Sequence, residues 1–161
     1  MNDDNPWEHL PSVADVLTPV ADACPSFGDL WSGWTERNPT FAAGADGCYV
    51  LLELSQHLLA RLRAGDTGTF AATFAVLDDM LESANTAFAE MLGVHFIRDL
   101  QHAGLSSGDW GHADLFVPFL GPRLLAGWRL SRRSWEVEQG MPPSMRPLAP
   151  GGSNRRQRRR R

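Results

Sequence analysis

Two histidines and an aspartate follow a spacing that could begin a metal site. His95, Asp99 and His102 stand at positions i, i+4 and i+7, so in a helix all three project from one edge. Two imidazoles and a carboxylate on one edge could begin a zinc or iron site. A further ligand would have to come from another helix, where Glu53 with His57 is the only comparable pair. Polar residues are also typical of the edge between an apolar stripe and solvent, and we predict this second interpretation, with no metal and no cofactor.

Other charged side chains suggest acid–base chemistry less strongly. Three carboxylates gather on one flank of the helix predicted by TFAATFAVLDDMLESA, namely Asp78, Asp79 and Glu82. Such groups can share acid–base catalysis only inside a cleft, and on a helix flank they usually form a solvated patch. A solvated ladder of side-chain pairs is predicted at four-residue steps, at Glu53, His57 and Arg61.

Nucleophilic and phosphate-binding chemistry have no local signature. No serine occupies a Gly-x-Ser-x-Gly elbow, and Cys24 and Cys48 match no metal or redox spacing, so we predict both cysteines to be reduced. In FLGP, a single Gly121 precedes Pro122. A phosphate loop needs several glycines whose N–H groups converge on the anion, and proline has no N–H to offer. Proline is well placed in the first turn of a helix, so FLGP predicts a structural helix start.

Helical periodicity positions all of these residues. It predicts short helices around 13–20 and 27–34, a loop over 37–47, and longer helices from about 47 to 64 and from about 69 to 84. Asn85 is the predicted cap of a fifth helix. A short helix over 114–120 and a last helix over 122–138 follow, and no strand alternation is found. The predicted fold is all-α, a single compact bundle or short solenoid-like array of five to seven helices.

The charge is divided unevenly along the chain. All 15 basic residues are arginines, and seven of them lie in residues 141–161, which contain no acid. The other residues therefore carry eight arginines against 19 acids, a balance of −11. The sequence predicts an N-terminal helical segment and loop over 1–46, a helical core over 47–140, and a disordered Pro/Gly/Arg-rich tail over 141–161. This asymmetry concerns partners rather than fold.

Composition also limits where the protein acts. No apolar run approaches the length of a membrane span, and MNDDNPWEHL lacks the basic and apolar regions of a signal peptide, so a cytoplasmic protein is expected. The RRQRRRR end could bind nucleic acid or an anionic membrane surface through phosphate contacts. The acidic remainder of the chain would repel the same polyanion.

Three stretches fit one pattern: FAVLDDMLESANTAF, then VHFIRDLQH, then FLGP followed by a Trp-rich helix. Together they resemble a family of small, uncharacterised bacterial all-helical proteins met among polymorphic toxin and immunity genes, with an "FLE-LQN" motif and an "FLGP" turn. The middle motif falls on Phe96, Ile97, Leu100 and Gln101, and the final helix on Trp128 and Trp135. Arg98 and His102 depart from the family's usual Glu and Asn. The resemblance covers residues 47–138 and implies no catalytic residues.

The resulting hypothesis is a non-enzymatic, immunity-like binding protein whose acidic surface binds a basic partner such as a toxin. The candidate partner-binding residues are Asp78, Asp79, Glu82, Glu90 and Asp99, with Trp110 as an aromatic anchor. Two alternatives stay open, a metal-dependent helical enzyme around His95, Asp99 and His102, and a nucleic-acid-associated accessory protein acting through the arginine tail. The sequence gives no oligomeric state.

Overall fold

The computed structural model describes residues 10–106 and 113–138 of the chain. These residues form seven helices and no strand, which confirms the predicted all-α class. The helices are α1 Val13–Ala23, α2 Pro25–Arg37, α3 Pro39–Ala42, α4 Gly47–Arg63, α5 Phe70–Ser83, α6 over 86–106 and α7 Pro122–Glu138. A 3-10 turn, Val117–Phe119, precedes α7. The predicted tail and Trp110 lie outside the described residues. Within the described ranges, no helix is long and apolar enough to cross a membrane.

One hydrophobic core joins the early and late helices. Buried side chains from six helices belong to one cluster, among them Val16, Phe27, Leu54, Phe74, Leu92 and Trp128. α1 packs against α2, α4 and α5, so the core does not stop at the predicted division after residue 46. This arrangement is a bundle rather than an array of repeats.

Two of the observed helix starts agree with those predicted from the sequence, and two differ. The Asn85 side chain accepts from the Phe88 N–H at 2.9 Å, as the predicted cap of α6 should. α2, however, begins at Pro25 with Cys24 as its N-cap, two residues before the predicted start of a helix around 27–34. The segment 37–47, predicted as a loop, contains the short α3, which also starts with a proline at its first position. FLGP does lead into a helix start, with Pro122 as the first residue of α7.

α6 is one continuous helix with a π-helical turn in its middle. Thr86–Glu90 and Ile97–Ser106 are α-helical, and Met91–Phe96 is π-helical. The buried stripe on this helix runs at four-residue steps through Phe88, Leu92, Phe96 and Leu100. In an ideal helix of about 3.6 residues per turn, each such step drifts by roughly 40°. The π-turn has more residues per turn, so it rotates the side chains that follow it in the direction opposite to this drift. The stripe therefore stays on the core face.

The first turn of α7 is capped by a side chain from another helix. The Leu124 N–H donates to Asp78 Oδ1 at 2.8 Å, and Arg123 Nη1 reaches Asp78 Oδ2 at 3.4 Å. Gly121, at the N-cap position, has no side chain for this role, and a Cβ there would lie 2.7 Å from both Asp78 carboxylate oxygens. FLGP therefore starts a helix whose capping carboxylate comes from α5.

A buried amide joins α6 to α7. Gln101 is fully buried; its Nε2 donates to the Trp128 carbonyl at 3.0 Å, and its Oε1 accepts from Ser131 Oγ at 2.8 Å. We expect Gln101→Leu to lower the free energy of unfolding by about 2 kcal/mol, because the Ser131 hydroxyl is left buried without its acceptor. In a double-mutant cycle, adding Ser131→Ala should recover part of that loss. Additive losses in urea unfolding would contradict this pairing.

His57 and Arg61 do not form the predicted solvated ladder. His57 Nε2 lies 3.0 Å from Ser26 Oγ, and Arg61 Nη1 donates to the same hydroxyl at 2.7 Å. Arg61 Nη2 also pairs with Asp66 at 2.6 Å. Both side chains are half-buried, because α4 turns this edge toward the first turn of α2. The prediction was wrong here, since the four-residue spacing carries no information about the neighbouring helix.

His57 gives the stability a dependence on pH. Burial, and next the positive charge of Arg61, lower the pKa of His57 below its ordinary value of 6.5, although Asp66 opposes them. The unfolded chain therefore binds this proton more tightly, and the free energy of unfolding falls as the pH drops through about 6.5. We expect His57→Gln to flatten this decline between about pH 7.5 and pH 5. Urea unfolding across that interval measures it, and parallel curves for the two proteins would contradict it.

Candidate partner-binding face

Two adjoining surface cavities lie between α3, the start of α4 and the π-turn of α6. Each has a volume of about 350 Å³, and they share Asp46 and Tyr49. The first is also lined by Cys48, Leu51, Leu52, Met91, His95, Phe96 and Asp99, and the second by Thr40, Phe41, Gly44 and Ala45. We call the two cavities together the acidic groove. Such a surface depression of mixed apolar and charged lining is typical of a binding site.

Local structure positions the acidic groups of the groove. Asp46 is the N-cap of α4, and its Oδ1 accepts from the Tyr49 N–H at 3.1 Å, which fixes the carboxylate beside the groove. On the other side, His95 is the last residue but one of the π-turn, and Asp99 follows four residues later on the α-helical part of α6. π-turns inside helices are frequent at functional sites.

Aromatic rings form one wall of the groove. Tyr49 packs against Phe41 with ring centroids 4.8 Å apart and against Trp34 at 5.3 Å. The Phe41 and Trp34 rings are nearly perpendicular with centroids 5.5 Å apart, yet 55% of the Phe41 surface is exposed. Leu52, one turn into α4, is 42% exposed. The groove therefore presents apolar surface to solvent beside its carboxylates.

Burial tunes the ionisable groups of the groove. It raises the pKa of Asp99, and the nearby His95 and His102 partly offset the rise. Burial, and next the Asp46 charge, raise the pKa of Cys48 to about 11, so this thiol stays protonated at neutral pH and is a poor nucleophile. Desolvation and the neighbouring Glu53 carboxylate raise the pKa of Tyr49. A cation entering the groove would therefore meet a carboxylate that has lost part of its hydration.

The predicted partner-binding residues do not share one site. Asp99 lines the acidic groove. Asp79, Glu82 and Glu90 are exposed on α5 and α6, and Glu82 pairs with Arg123 at 2.9 Å. Asp78 is only 4% exposed and caps α7. It is therefore not part of the accessible surface on which a partner-binding residue was predicted.

Sequence reasoning did not find the aromatic wall of the groove or Asp46. The usable signals were an aspartate directly before the α4 stripe, typical of an N-cap, and the isolated Phe41 in a polar segment.

The histidines that could begin a metal site face different neighbours. His95 and Asp99 line the acidic groove, whereas the His102 ring lies 6.0 Å from that of Trp135 on α7. Within the described parts of the chain, no three His, Cys, Asp or Glu side chains come together in a group that could hold a metal. The metal-dependent alternative therefore has no ligand set among these residues.

Comparison with known proteins gives a family without an assigned function. A family model described as "Domain of unknown function (DUF7674)" matches residues 17–136. The match begins inside α1 and ends inside α7, so it takes in nearly all of the helical bundle. No curated protein and no solved structure matches the chain.

Proposed function

We propose that the chain, which belongs to the DUF7674 family of domains of unknown function, is a non-enzymatic binding protein of the immunity type. Its acidic groove receives a basic segment of a protein partner. The proposal joins the geometry of the groove to the excess negative charge of the chain outside its arginine-rich end.

The observation that carries the proposal is a pair of groove carboxylates with no arginine partner among the described residues, beside exposed apolar side chains. Among the described residues, five carboxylates outside the groove are paired with arginine, namely Asp66, Asp78, Glu82, Asp114 and Glu138. Others, such as Asp22 and Asp79, are exposed on the outside of the bundle. Within the described ranges, Asp46 and Asp99 have no arginine ion pair, and unlike Asp22 and Asp79 they line a cavity beside the exposed Leu52. An external cation could therefore pair with them without displacing an internal one.

The lining of the groove suits an arginine side chain. A guanidinium can stack on an aromatic ring such as Tyr49 or Phe41 while it donates hydrogen bonds to the Asp99 carboxylate. Protein interfaces concentrate their binding free energy in such partly desolvated positions, surrounded by apolar contacts like that of Leu52.

The resemblance supplies the biological setting of the proposal, a bacterial toxin and its immunity protein. A nuclease toxin carries a basic groove for its substrate, and an acidic protein associates with such a groove rapidly and blocks it. Asp79, Glu82 and Glu90 add to the attracting field, and Trp110 remains a proposed anchor outside the described residues. The cytoplasmic location also belongs to this proposal.

Site-specific photo-cross-linking in the native host tests the proposal. A photoreactive phenylalanine analogue replaces Leu52 in the groove, and the matched control replaces Leu130 on α7, which is 63% exposed and does not line the groove. We expect a basic protein to be cross-linked at position 52 and not at position 130. Equal cross-linking at both positions, or none at position 52, would contradict the proposal.

Charge variants then measure the contribution of the groove to affinity for the purified partner. Asp46→Asn with Asp99→Asn should weaken binding at least about tenfold, and Asp22→Asn, exposed on α1, should leave it unchanged. Neutralising Asp79, Glu82 and Glu90 together should slow association a few-fold at low salt and change dissociation little. A partner indifferent to the groove variants would overturn the assignment of this site.

A further inference from the structure

We propose that the acidic groove also binds the chain's own arginine-rich end, residues 155–161, which then competes as a tethered ligand with any external basic partner. The inference shares the groove with the proposed function and needs no external partner of its own. An external partner would have to bind the groove tightly enough to displace this end.

The exit point of the chain from the bundle favours this docking. α7 ends at Glu138, whose carboxylate pairs with Arg98 of α6 at 3.1 Å. Arg98 directly precedes Asp99, so the chain leaves the bundle beside the helix that carries one wall of the groove. The Arg98 charge is itself engaged by Glu138 and by the face of Trp135, 4.3 Å away.

The length of the connecting segment is sufficient. Residues 139–154 separate Glu138 from the RRQRRRR end, and a chain of that length can span up to about 50 Å. Arg98, which Glu138 contacts, and Asp99, which lines the groove, are consecutive residues of α6, and a helix with its side chains is only about 10–12 Å across. The segment 141–161 contains no acidic residue that could pair with the arginines locally.

Charge complementarity points to the groove as the docking place. The end carries six arginines, and the chain before residue 141 has a balance of −11. Asp46 and Asp99 have no arginine partner among the described residues, and unlike the exposed Asp22 and Asp79 they line a cavity with apolar walls. Tyr49 and Phe41 offer rings on which a guanidinium stacks. A tethered ligand acts at an effective concentration of the order of mM, so even a weak contact would fill the groove.

A peptide competition experiment on the full chain tests the inference. The probe is a fluorescent peptide of sequence RRQRRRR, titrated into the intact protein and into a full-length variant with the six arginines of 155–161 replaced by glutamine. We expect the peptide to bind the neutral-tail variant at least about tenfold more tightly, because the intact protein must first release its own end. Equal affinity for the two proteins would overturn the inference.

Two further experiments test where the arginine-rich end binds and whether it belongs to the same chain or to a second copy. In the neutral-tail background, Asp46→Asn with Asp99→Asn should weaken peptide binding at least about tenfold. The control Asp22→Asn with Asp29→Asn, at two exposed positions that do not line the groove, removes the same charge and should change binding less than about twofold. Equal losses would overturn the assignment to the groove. Sedimentation should show the intact protein as a monomer, and a dimer that disappears on tail neutralisation would replace this docking with exchange between copies.

The outcome is separable from that of the proposed function. A cross-link at Leu52 to a basic protein, together with equal peptide affinities, would leave the proposed function standing and remove the tail inference. Tighter peptide binding by the neutral-tail variant, with no cross-link to an external protein at position 52, would leave the tail inference standing and remove the proposed function.

Discussion

Gly127→Ala is expected to lower the free energy of unfolding by about 2 kcal/mol, although alanine is the better helix former. A Cβ at this position of α7 would lie 2.5 Å from the Gly93 carbonyl oxygen and 3.0 Å from Ile97 Cδ1. Gly93 lies in the π-turn, so the obstructing atom belongs to the backbone of a packed helix and cannot swing away as a side chain could. The two helices would have to separate, which opens the interface that Gln101 and Trp128 close.

The matched control is Gly33→Ala in α2. Among the described residues, no atom beyond α2's own backbone and the two chain neighbours lies within 4 Å of a Cβ at that position. This substitution should therefore stabilise the protein by about 0.5–1 kcal/mol through helix propensity alone. Urea unfolding of both variants should therefore give changes of opposite sign. Stabilisation by Gly127→Ala would show that α6 and α7 do not approach as closely as the structure has them.

The sequence predicted those elements whose signals are local. Helical periodicity located the stripes of α4, α5 and α7, because burial of one helix face repeats along the chain itself. The N-cap at Asn85 and the proline start of α7 were equally readable, since a cap involves residues three or four positions apart.

Contacts between helices were beyond sequence reasoning. Ser26, His57 and Arg61 share one hydrogen-bonded cluster across 31 and 35 residues of chain, and no spacing pattern predicts such a meeting. The π-turn of α6 illustrates an intermediate case. Its four-residue apolar spacing was visible, but the physical consequence, a helix that must widen to keep the stripe on one face, became clear only with the fold.

The candidate site was predictable only in part for the same reason. The acidic character of the surface follows from composition, and Asp99 was named from its position on a helix edge. The groove itself exists because α3 and the start of α4 lie beside the π-turn, which brings Asp46 and Phe41 to the same face. Candidate residues chosen along one flank of a single helix could not include Asp46 and Phe41.

Asp78 and Asp79 are adjacent carboxylates that should contribute very differently to stability. We expect Asp78→Ala to lower the free energy of unfolding by about 2–3 kcal/mol. The substitution removes the acceptor of the Leu124 N–H, which then has no partner in the first turn of α7. It also removes one of the two carboxylates of Arg123, leaving Glu82. Asp78→Asn should cost less, because its amide oxygen can still accept from the same N–H.

Asp79→Ala is the control, because Asp79 is exposed and its loss should change stability by less than about 0.5 kcal/mol. Hydrogen exchange distinguishes a capping role from general destabilisation. In Asp78→Ala, the Leu124 amide should lose protection at denaturant concentrations where the Leu54 amide in the middle of α4 is still protected. If Asp78→Ala proved as mild as Asp79→Ala, the carboxylate would not be the cap of α7, and Asp78 would return to the set of residues available to a partner.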